Sequence, residues 1–503
     1  MDLEGTMSRG FLPDLLRYLP SHLVPAVVGL VSIPVITELF PPEDYGNYTL
    51  ALTTVSILVT ISSWLTISIV RFYPACESNH TLGDLRSSVF TSLLVSLSAG
   101  CALVGGVLLV TRPLLDPQFL RLMSVGVGLF ALSTTFGVLQ SFLRARLQAA
   151  WYSFFSVWDS VAKLGFGVAL VLGLSLGVEG LLWGAVLAFA VTLPLLWKVA
   201  IGKQFGPGRA SLPLIQDMLK YAMPLVVGNL AAWVLNMSDR YVLKAFRGAG
   251  EVGLYSASYA ISERSITVLA ALFMLAAGPI GVRIWENEGE SRARDFLRSV
   301  TRHYLLLAVP AVVGLSVLAK PVIEMFTSPE YHSAYRVTPM IALSGFILGL
   351  QQRYHPAFLF NKKTRTIMVI VFLSGAVNLA LNLVFVPRYG YMAAAATTLI
   401  GYVVLLGLVI VSSRKYLTWR FPFATLARSI LASAVMAVVV YPVGTGLTSS
   451  NLVNLAVAVP SGILVYVVAI AATGELRPDE KRTVLSSLAR LGAKMGLRHR
   501  DRD

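Results

Sequence analysis

Two adjacent charged pairs interrupt long apolar runs. Asp239 and Arg240 stand together in "NMSDRYVL" (Asn236–Leu243), and Glu263 and Arg264 follow in "ISERS" (Ile261–Ser265). Asp159 and Lys163 lie one helical turn apart in another run, and further cations sit at Arg17, Arg71 and Arg353. A charge held mid-hydrocarbon costs at least ~3 kcal/mol even on the lenient insertion scale, so it pairs, faces water or meets a ligand of opposite sign. Here six cations face three carboxylates. If every carboxylate takes a partner, three cations are left, a surplus that suits an anion. Guanidinium groups suit phosphate best.

The polar residues around these charges fall into stripes, because positions three and four apart share a helix face. Asn229, Trp233, Asn236 and Arg240 form one stripe, and Tyr255, Tyr259 and Glu263 form another. Thr49, Thr53, Ser56, Thr60 and Ser63 form a third, which ends near Arg71. Gln351 precedes Arg353, and His22 follows Arg17. Lipid cannot satisfy such faces, so they turn inward; hydroxyl, amide and ring groups of this kind suit a sugar. At ~1.5 Å per residue, Glu263, Arg264 and Lys163 lie roughly 16 Å into their spans, near the midplane. Arg240 and Arg71 lie nearer span ends, where snorkelling relieves them. Asp239 points about 100° away from Arg240. This spacing expects Arg240 on the cleft, Asp239 tied to a neighbouring helix, and Arg264 as the deeper ligand. Purely structural alternatives stand beside these: Asp159–Lys163 as a plain i,i+4 pair, Asp239 and Glu263 pairing with Arg264 and Arg240, Arg71 as an interface anchor, and His22 as a hydrogen-bonded core residue.

The elements that must position these residues are transmembrane helices. The 503-residue chain is 56% hydrophobic and 13% charged, roughly half the charge of a soluble protein. The reading is an all-α polytopic membrane protein with about 14 spans. They fall at 15–39, 46–70, 87–111, 119–142, 151–174, 179–201, 219–245, 253–281, 299–319, 334–358, 366–387, 390–412, 425–446 and 452–473. Acidic residues near the N-terminus and the missing cleavage site argue against a signal peptide, so the first run is expected to be a retained span. Lys and Arg favour one set of connections by about four to one, which places both termini in the cytoplasm. The net charge of +15 is therefore mostly topological and argues against a nucleic-acid partner. Cys76 falls in an expected loop and Cys101 in a span; neither disulfide nor metal site is implied. No phosphate-binding loop, dinucleotide fingerprint or nucleophile motif occurs, so neither an enzyme nor a cofactor is expected.

Three connections recur. "RPLLD" (Arg112–Asp116) matches "KPVIE" (Lys320–Glu324), "DYGNYT" (Asp44–Thr49) matches "EVGLYS" (Glu251–Ser256), and "EGLLWGA" (Glu179–Ala185) matches "YGYMAAA" (Tyr389–Ala395), at offsets of 208, 207 and 210. Six spans per copy is even, so both copies enter from one side and form a parallel repeat about an axis along the membrane normal. The expected units are an N-lobe (1–201), a cytoplasmic linker (202–218), a C-lobe (219–413), two extra spans (414–474) and a basic amphipathic tail (475–503) lying on the anionic leaflet.

"DRYVLKAFRGAGEVGLYSASYAISE" (Asp239–Glu263), "FPPEDYGNYTLA" (Phe40–Ala51), "IVRFYP" (Ile69–Pro74) and "RYGYMAAAATTLIGY" (Arg388–Tyr402) carry a family resemblance. The chain resembles the multidrug/oligosaccharidyl-lipid/polysaccharide exporter (MOP) superfamily, and within it the polysaccharide transporters, the Wzx-type O-antigen flippases. The resemblance covers essentially the whole chain, the tail least. It implies two six-helix lobes with two extra helices, a central cationic cavity, and export of a polyprenyl-pyrophosphate-linked oligosaccharide to the outer leaflet. It implies cavity arginines at Arg17, Arg71, Arg240 and Arg264, to which the residues themselves add Lys163 and Arg353. Partners would be that glycan lipid, membrane lipids, and a polymerase and glycosyltransferases. Coupling to Na⁺, H⁺ or membrane potential is open, with Asp159, Asp239, Glu263 and His22 as handles. A lipid II flippase is the close alternative. A cation-coupled multidrug antiporter fits the surplus of cations less well, and a non-transporting scaffold fits least.

Overall fold

Prolines and glycines punctuate the chain into its helices. Proline begins α1 (Pro20–Leu39) and α2 (Pro42–Ser62), where its missing N–H costs nothing. After α3 (Trp64–Ser78) and α4 (Leu82–Thr111), Asp116 caps α5 (Pro117–Ala145) by accepting the Gln118 N–H at 2.9 Å. Then come α6 (Ala149–Leu174), α7 (Glu179–Ala200) and α8 (Leu212–Arg247). The helical run Ala249–Val317 breaks at Gly289 (φ 83°) into α9 (249–288) and α10 (290–317). A short α11 (Ala319–Phe326) and a 3₁₀ turn (Pro329–Val337) lead to α12 (Thr338–Gln352) and α13 (His355–Phe360). Thr364–Ser413 breaks at Gly390 (φ 59°) into α14 (364–389) and α15 (391–413), and α16 (Phe423–Gly446) and α17 (Asn451–Ala472) complete the bundle. Only glycine takes these left-handed turns freely, so each ends one span and starts the next.

The computed structural model describes residues 19–202, 209–477 and Glu480. Arg17 and nearly all of the expected tail lie outside them. Twelve helices are long and apolar enough to cross a membrane among the described residues; the breaks at Gly289 and Gly390 bring the spans to fourteen. The protein is all-helical: α1–α7 form one six-span lobe, α8–α15 the second, and α16–α17 stand outside the repeat. Several expected boundaries shift. The second span is α2 plus α3, so Cys76 is helical and buried rather than in a loop. The tenth span breaks at residues 353–354. Leu109, Val110 and Val438 are three-quarters or more exposed, as lipid-facing side chains must be.

The repeat is visible at one contact. Gly46 of α2 packs against the Ala249 carbonyl at the start of α9, and Gly253 packs against the Pro42 carbonyl. Residues 42 and 249, and 46 and 253, are partners at the same offset of 207. Each lobe presents the same patch to the other, the self-complementary contact of a two-fold axis. Neither glycine has room for a Cβ. Polar contacts seal this end: Lys244 Nζ donates to Asn47 Oδ1 at 2.9 Å and lies 3.5 Å from Asp116, and Tyr331 donates to the Phe40 carbonyl at 2.9 Å. We call it the Asp116 end, and the opposite end the Arg71 end.

The start of the expected tail proves to be core. Glu475 is buried, takes Arg302 Nε at 2.9 Å, Arg428 Nη1 at 2.8 Å and Thr425 Oγ1 at 2.6 Å, and so ties α10 to α16. Glu480 accepts both terminal nitrogens of Arg302 at 2.6 and 2.9 Å. Those hydrogen bonds hold its carboxyl down at about 2. Burial pushes Glu475 up, but bonds from Thr425, Arg428 and Arg302 together leave it below the usual carboxylate range. Both carboxylates thus favour the folded state above their unfolded pKa near 4.5, and that stability is lost as pH falls toward 2. Thermal unfolding in detergent should show a fall in Tm between pH ~4.5 and ~2 that Glu480→Gln makes shallower.

Candidate functional site

A cavity of about 570 Å³ opens in the first lobe. Its polar wall comes from the threonine and serine stripe of α2 (Ser56, Thr60) with Tyr48, Ser32 of α1, Ser133 of α5 and Ser160 of α6. Lys163 is its cation. The ammonium is 2.7 Å from Asp159 and 4.1 Å from the Phe189 ring centroid. The i,i+4 pair and a cation–π contact hold the charge at the wall while leaving the side chain about one-third exposed. The serines and threonines satisfy their hydrogens on carbonyls of their own helices, as Thr60 does on Ser56 at 2.8 Å. Their second lone pairs are left for a ligand.

Two side chains of the second lobe reach this wall. Trp233 of α8 donates Nε1 to Ser56 Oγ at 2.8 Å. Arg264 of α9 donates Nη1 to the Gly29 carbonyl of α1, itself a lining residue. A Cβ at Gly29 would overlap the guanidinium and push it off the wall. Arg264 has no carboxylate within 4 Å among the described residues. It is therefore a half-buried cation hydrogen-bonded to backbone, with donors left over. Glu263 beside it also has no ion pair there, so the cross-pairing of Glu263 with Arg240 does not occur.

Asp239 and Arg240 belong to a different network, inside the second lobe. Asp239 is buried, accepts Tyr255 Oη at 2.6 Å and Thr398 Oγ1 at 3.4 Å, and lies 3.1 Å from its neighbour Arg240. It ties α8 to α9 and α15, as the 100° offset expects. Arg240 is equally buried, its guanidinium 4.8 Å from the Tyr259 ring centroid and 5.6 Å from that of Tyr255. Its Nη1 also donates to the Asn236 carbonyl at 3.0 Å, and the Asn236 side chain accepts Tyr402 Oη. In this conformation Arg240 is packed in the lobe rather than directed at the cavity, because two tyrosine faces and one carboxylate solvate it better than an open cleft would. Tyr255→Phe should cost about 1–2 kcal/mol by stripping a donor from the buried carboxylate; chemical denaturation in detergent measures it.

The remaining expected residues scatter. Arg71 is exposed on α3, with its guanidinium 5.8 Å from the Tyr221 ring centroid of α8. Arg353 is buried, donates to the Gly349 and Ala270 carbonyls at 3.3 Å, and lies 5.4 Å from the Tyr304 ring centroid, away from the cavity. Gln351 is buried, while Asn229 and His22 are exposed. Of the five cations among the described residues, the structure brings Lys163 and Arg264 to the cavity. Sequence reasoning did not single out Tyr48, Ser133 or Ser160 for the site: serines in apolar helices carry no signal of facing a lumen until the helices are packed. It also missed Asn378 and Asn382, which, with Thr397, form a buried polar cluster near Asp239.

Two lobes of six spans about a pseudo-two-fold axis, with a cavity in the first lobe whose wall Trp233 and Arg264 of the second lobe reach, define a multi-pass membrane protein of the MOP-superfamily fold. Solved structures agree on that fold. The lipid II flippase MurJ in an inward closed conformation superposes with TM-score 0.71 at 15% identity, over 91% of this chain and 98% of that one. An inward-facing multidrug resistance MATE family transporter gives 0.67 at 11% identity, over 79% and 97%. The chain belongs to the polysaccharide biosynthesis protein family, which it matches over residues 14–285; residues 224–384 match the MatE family. The succinoglycan biosynthesis transport protein ExoT of Rhizobium meliloti is 23% identical over 63% of this chain, and the match spans only 63% of that relative's length. The probable low-salt glycan biosynthesis flippase Agl15 of Haloferax volcanii is 22% identical over 65% of this chain and 68% of its own. The probable lipid II flippase MurJ of Rhizobium meliloti is 26% identical over 59% and 55%.

Proposed function

We propose that the protein is a flippase that moves a polyprenyl-pyrophosphate-linked oligosaccharide from the cytoplasmic to the outer leaflet of a prokaryotic inner membrane, for polysaccharide assembly. One observation carries the reading: Arg264, a mid-membrane cation without a carboxylate partner, bonds the wall of a hydroxyl-lined cavity that also holds Lys163. The pyrophosphate pairs with these cations, the glycan occupies the hydroxyl-lined lumen, and the prenyl chain stays in lipid. Val27, which precedes Gly29 on α1, is more than half exposed, which suits a lateral gap for the chain. The lobes then rock apart at the Gly46–Gly253 contact and open the Asp116 end. With both termini cytoplasmic, an inside-negative potential assists: two charges crossing about 100 mV gain about 4.6 kcal/mol. Na⁺ or H⁺ coupling would act through Asp159, Asp239 or Glu263.

A binding measurement tests the pyrophosphate assignment. Polyprenyl pyrophosphate titrated into the protein in nanodiscs should bind, and Lys163→Gln should weaken it about tenfold, one charge-assisted contact. The Lys163→Gln/Asp159→Asn double variant keeps a neutral pair and should show the same loss. Equal affinity in wild type and both variants would remove Lys163 from the site. Lipid II is the second reading, favoured by the MurJ likeness; tight preference for a peptide-bearing carrier over a glycan-only carrier would select it.

A further inference from the structure

Two pockets far from the cavity share a wall. One, about 360 Å³, is polar and holds Ser291, Arg294 and Arg298 at the start of α10 with Arg420 from the loop between α15 and α16. Asp295 is its carboxylate. The other, about 510 Å³, is apolar and is lined by Leu350, Ile410, Leu417, Phe421, Phe423 and Leu426, with Arg414 also on it. Thr418 and Trp419 line both. Neither pocket shares a residue with the lumen that holds Lys163. A polar chamber joined to an apolar one is the shape of an amphiphile.

The charges choose the head. Arg294 is paired with Glu290 at 2.5 Å. Arg298 and Arg420 are exposed and have no ion pair within 4 Å among the described residues. With Arg414 nearby, the site stays net positive after Asp295 and Glu290 are counted. The N-terminus of α10 begins here, directly after the turn at Gly289, and its dipole adds to the field. Trp419 is an independent sign: its Nε1 is buried with no acceptor among the described residues, on the wall both pockets share. Rings surround the junction, with Tyr354 at 5.0 Å and Phe421 at 6.3 Å from Trp419 and Phe423 at 4.7 Å from Phe421. Such belts mark the level where headgroups meet chains. Phe423 is 72% exposed, an apolar surface left for a chain to cover.

We propose that this is a binding site for an anionic glycerophospholipid of the surrounding leaflet, phosphate on Arg298, Arg420 and Trp419, acyl chain against Leu417, Phe421 and Phe423. It holds the loop that links the second lobe to the extra helices, and it does not depend on the transported substrate. The charge count expects it at the cytoplasmic leaflet, where such lipids concentrate.

Native mass spectrometry of the full chain tests it. Phosphatidylglycerol should bind the wild type at one saturable high-affinity site, and phosphatidylcholine should not. Arg298→Gln/Arg420→Gln should weaken phosphatidylglycerol about thirtyfold, from two charges at the surface, and Trp419→Phe should weaken it severalfold. Both positions chosen for the arginine changes are exposed, so the fold is kept; gel filtration checks it. Unchanged affinity in the double variant overturns the site, as does equal binding of phosphatidylcholine. Displacement by polyprenyl monophosphate at far lower concentration reassigns it to the carrier lipid, and displacement by inorganic phosphate alone reduces it to a headgroup pocket. Either result overturns the proposal.

Discussion

On the proposed function, Arg264→Gln should slow glycan-lipid flipping in proteoliposomes by about ten- to a hundredfold while insertion and thermal stability stay close to wild type. The magnitude follows from one charge-assisted contact of about 1.5–3 kcal/mol to the phosphate. The selectivity follows from what Arg264 touches. Its hydrogen bond goes to the Gly29 backbone, and no ion pair within 4 Å among the described residues is broken when its charge goes. Arg240→Gln is different: it strands the buried Asp239 and should destabilise the second lobe before transport can be read. Arg264→Lys keeps the charge but loses the fork, and should recover part of the rate. Gly29→Ala should mimic the loss, because the methyl displaces the guanidinium from the wall. Wild-type rates for Arg264→Gln and Arg264→Ala would remove the residue from the site.

Gly46→Ala and Gly253→Ala should each open the Asp116 end. Each methyl falls on a carbonyl oxygen of the other lobe, backbone that cannot rotate away as a side chain would. Overpacking of this kind costs about 1–3 kcal/mol. The cost falls on the state in which the lobes meet there, so the closed-to-open ratio drops by roughly thirtyfold for ~2 kcal/mol. A cysteine at Ala257, buried at this seam, reports it in a background with Cys76 and Cys101 replaced. Thiol labelling from outside should speed up by a similar factor in either glycine variant. Unchanged labelling would mean that the crossing does not govern closure.

These two glycines show how much the sequence carried. "DYGNYT" and "EVGLYS" announced a repeat, and the repeat announced two lobes on an axis; the contact of Gly46 with Ala249 and of Gly253 with Pro42 lies on that axis. Helix number was legible because apolar runs are long and glycine turns end them. The site was legible in part. Spacing alone put Asp239 on a neighbouring helix and marked Arg264 as deep, since both follow from 100° and 1.5 Å per residue. Spacing could not tell a cation facing a lumen from one solvated by tyrosine faces inside a lobe. Arg240 and Arg353 are of the second kind, and their rings come from distant segments: Tyr255 and Tyr259 for one, Tyr304 for the other. Nor did it foresee Glu475, which looks like the first residue of a polar tail until Arg302 and Arg428 close on it from two helices.

The most direct test is flipping itself. The purified chain goes into liposomes whose inner leaflet carries a fluorescent oligosaccharide on polyprenyl pyrophosphate, with an impermeant quencher outside. Protein-dependent exposure of the glycan, faster with a potential that draws anions outward and slowed at least tenfold by Arg264→Gln, is the predicted result. Exposure no faster than in protein-free liposomes, or equally fast for a carrier without the pyrophosphate, would contradict the account.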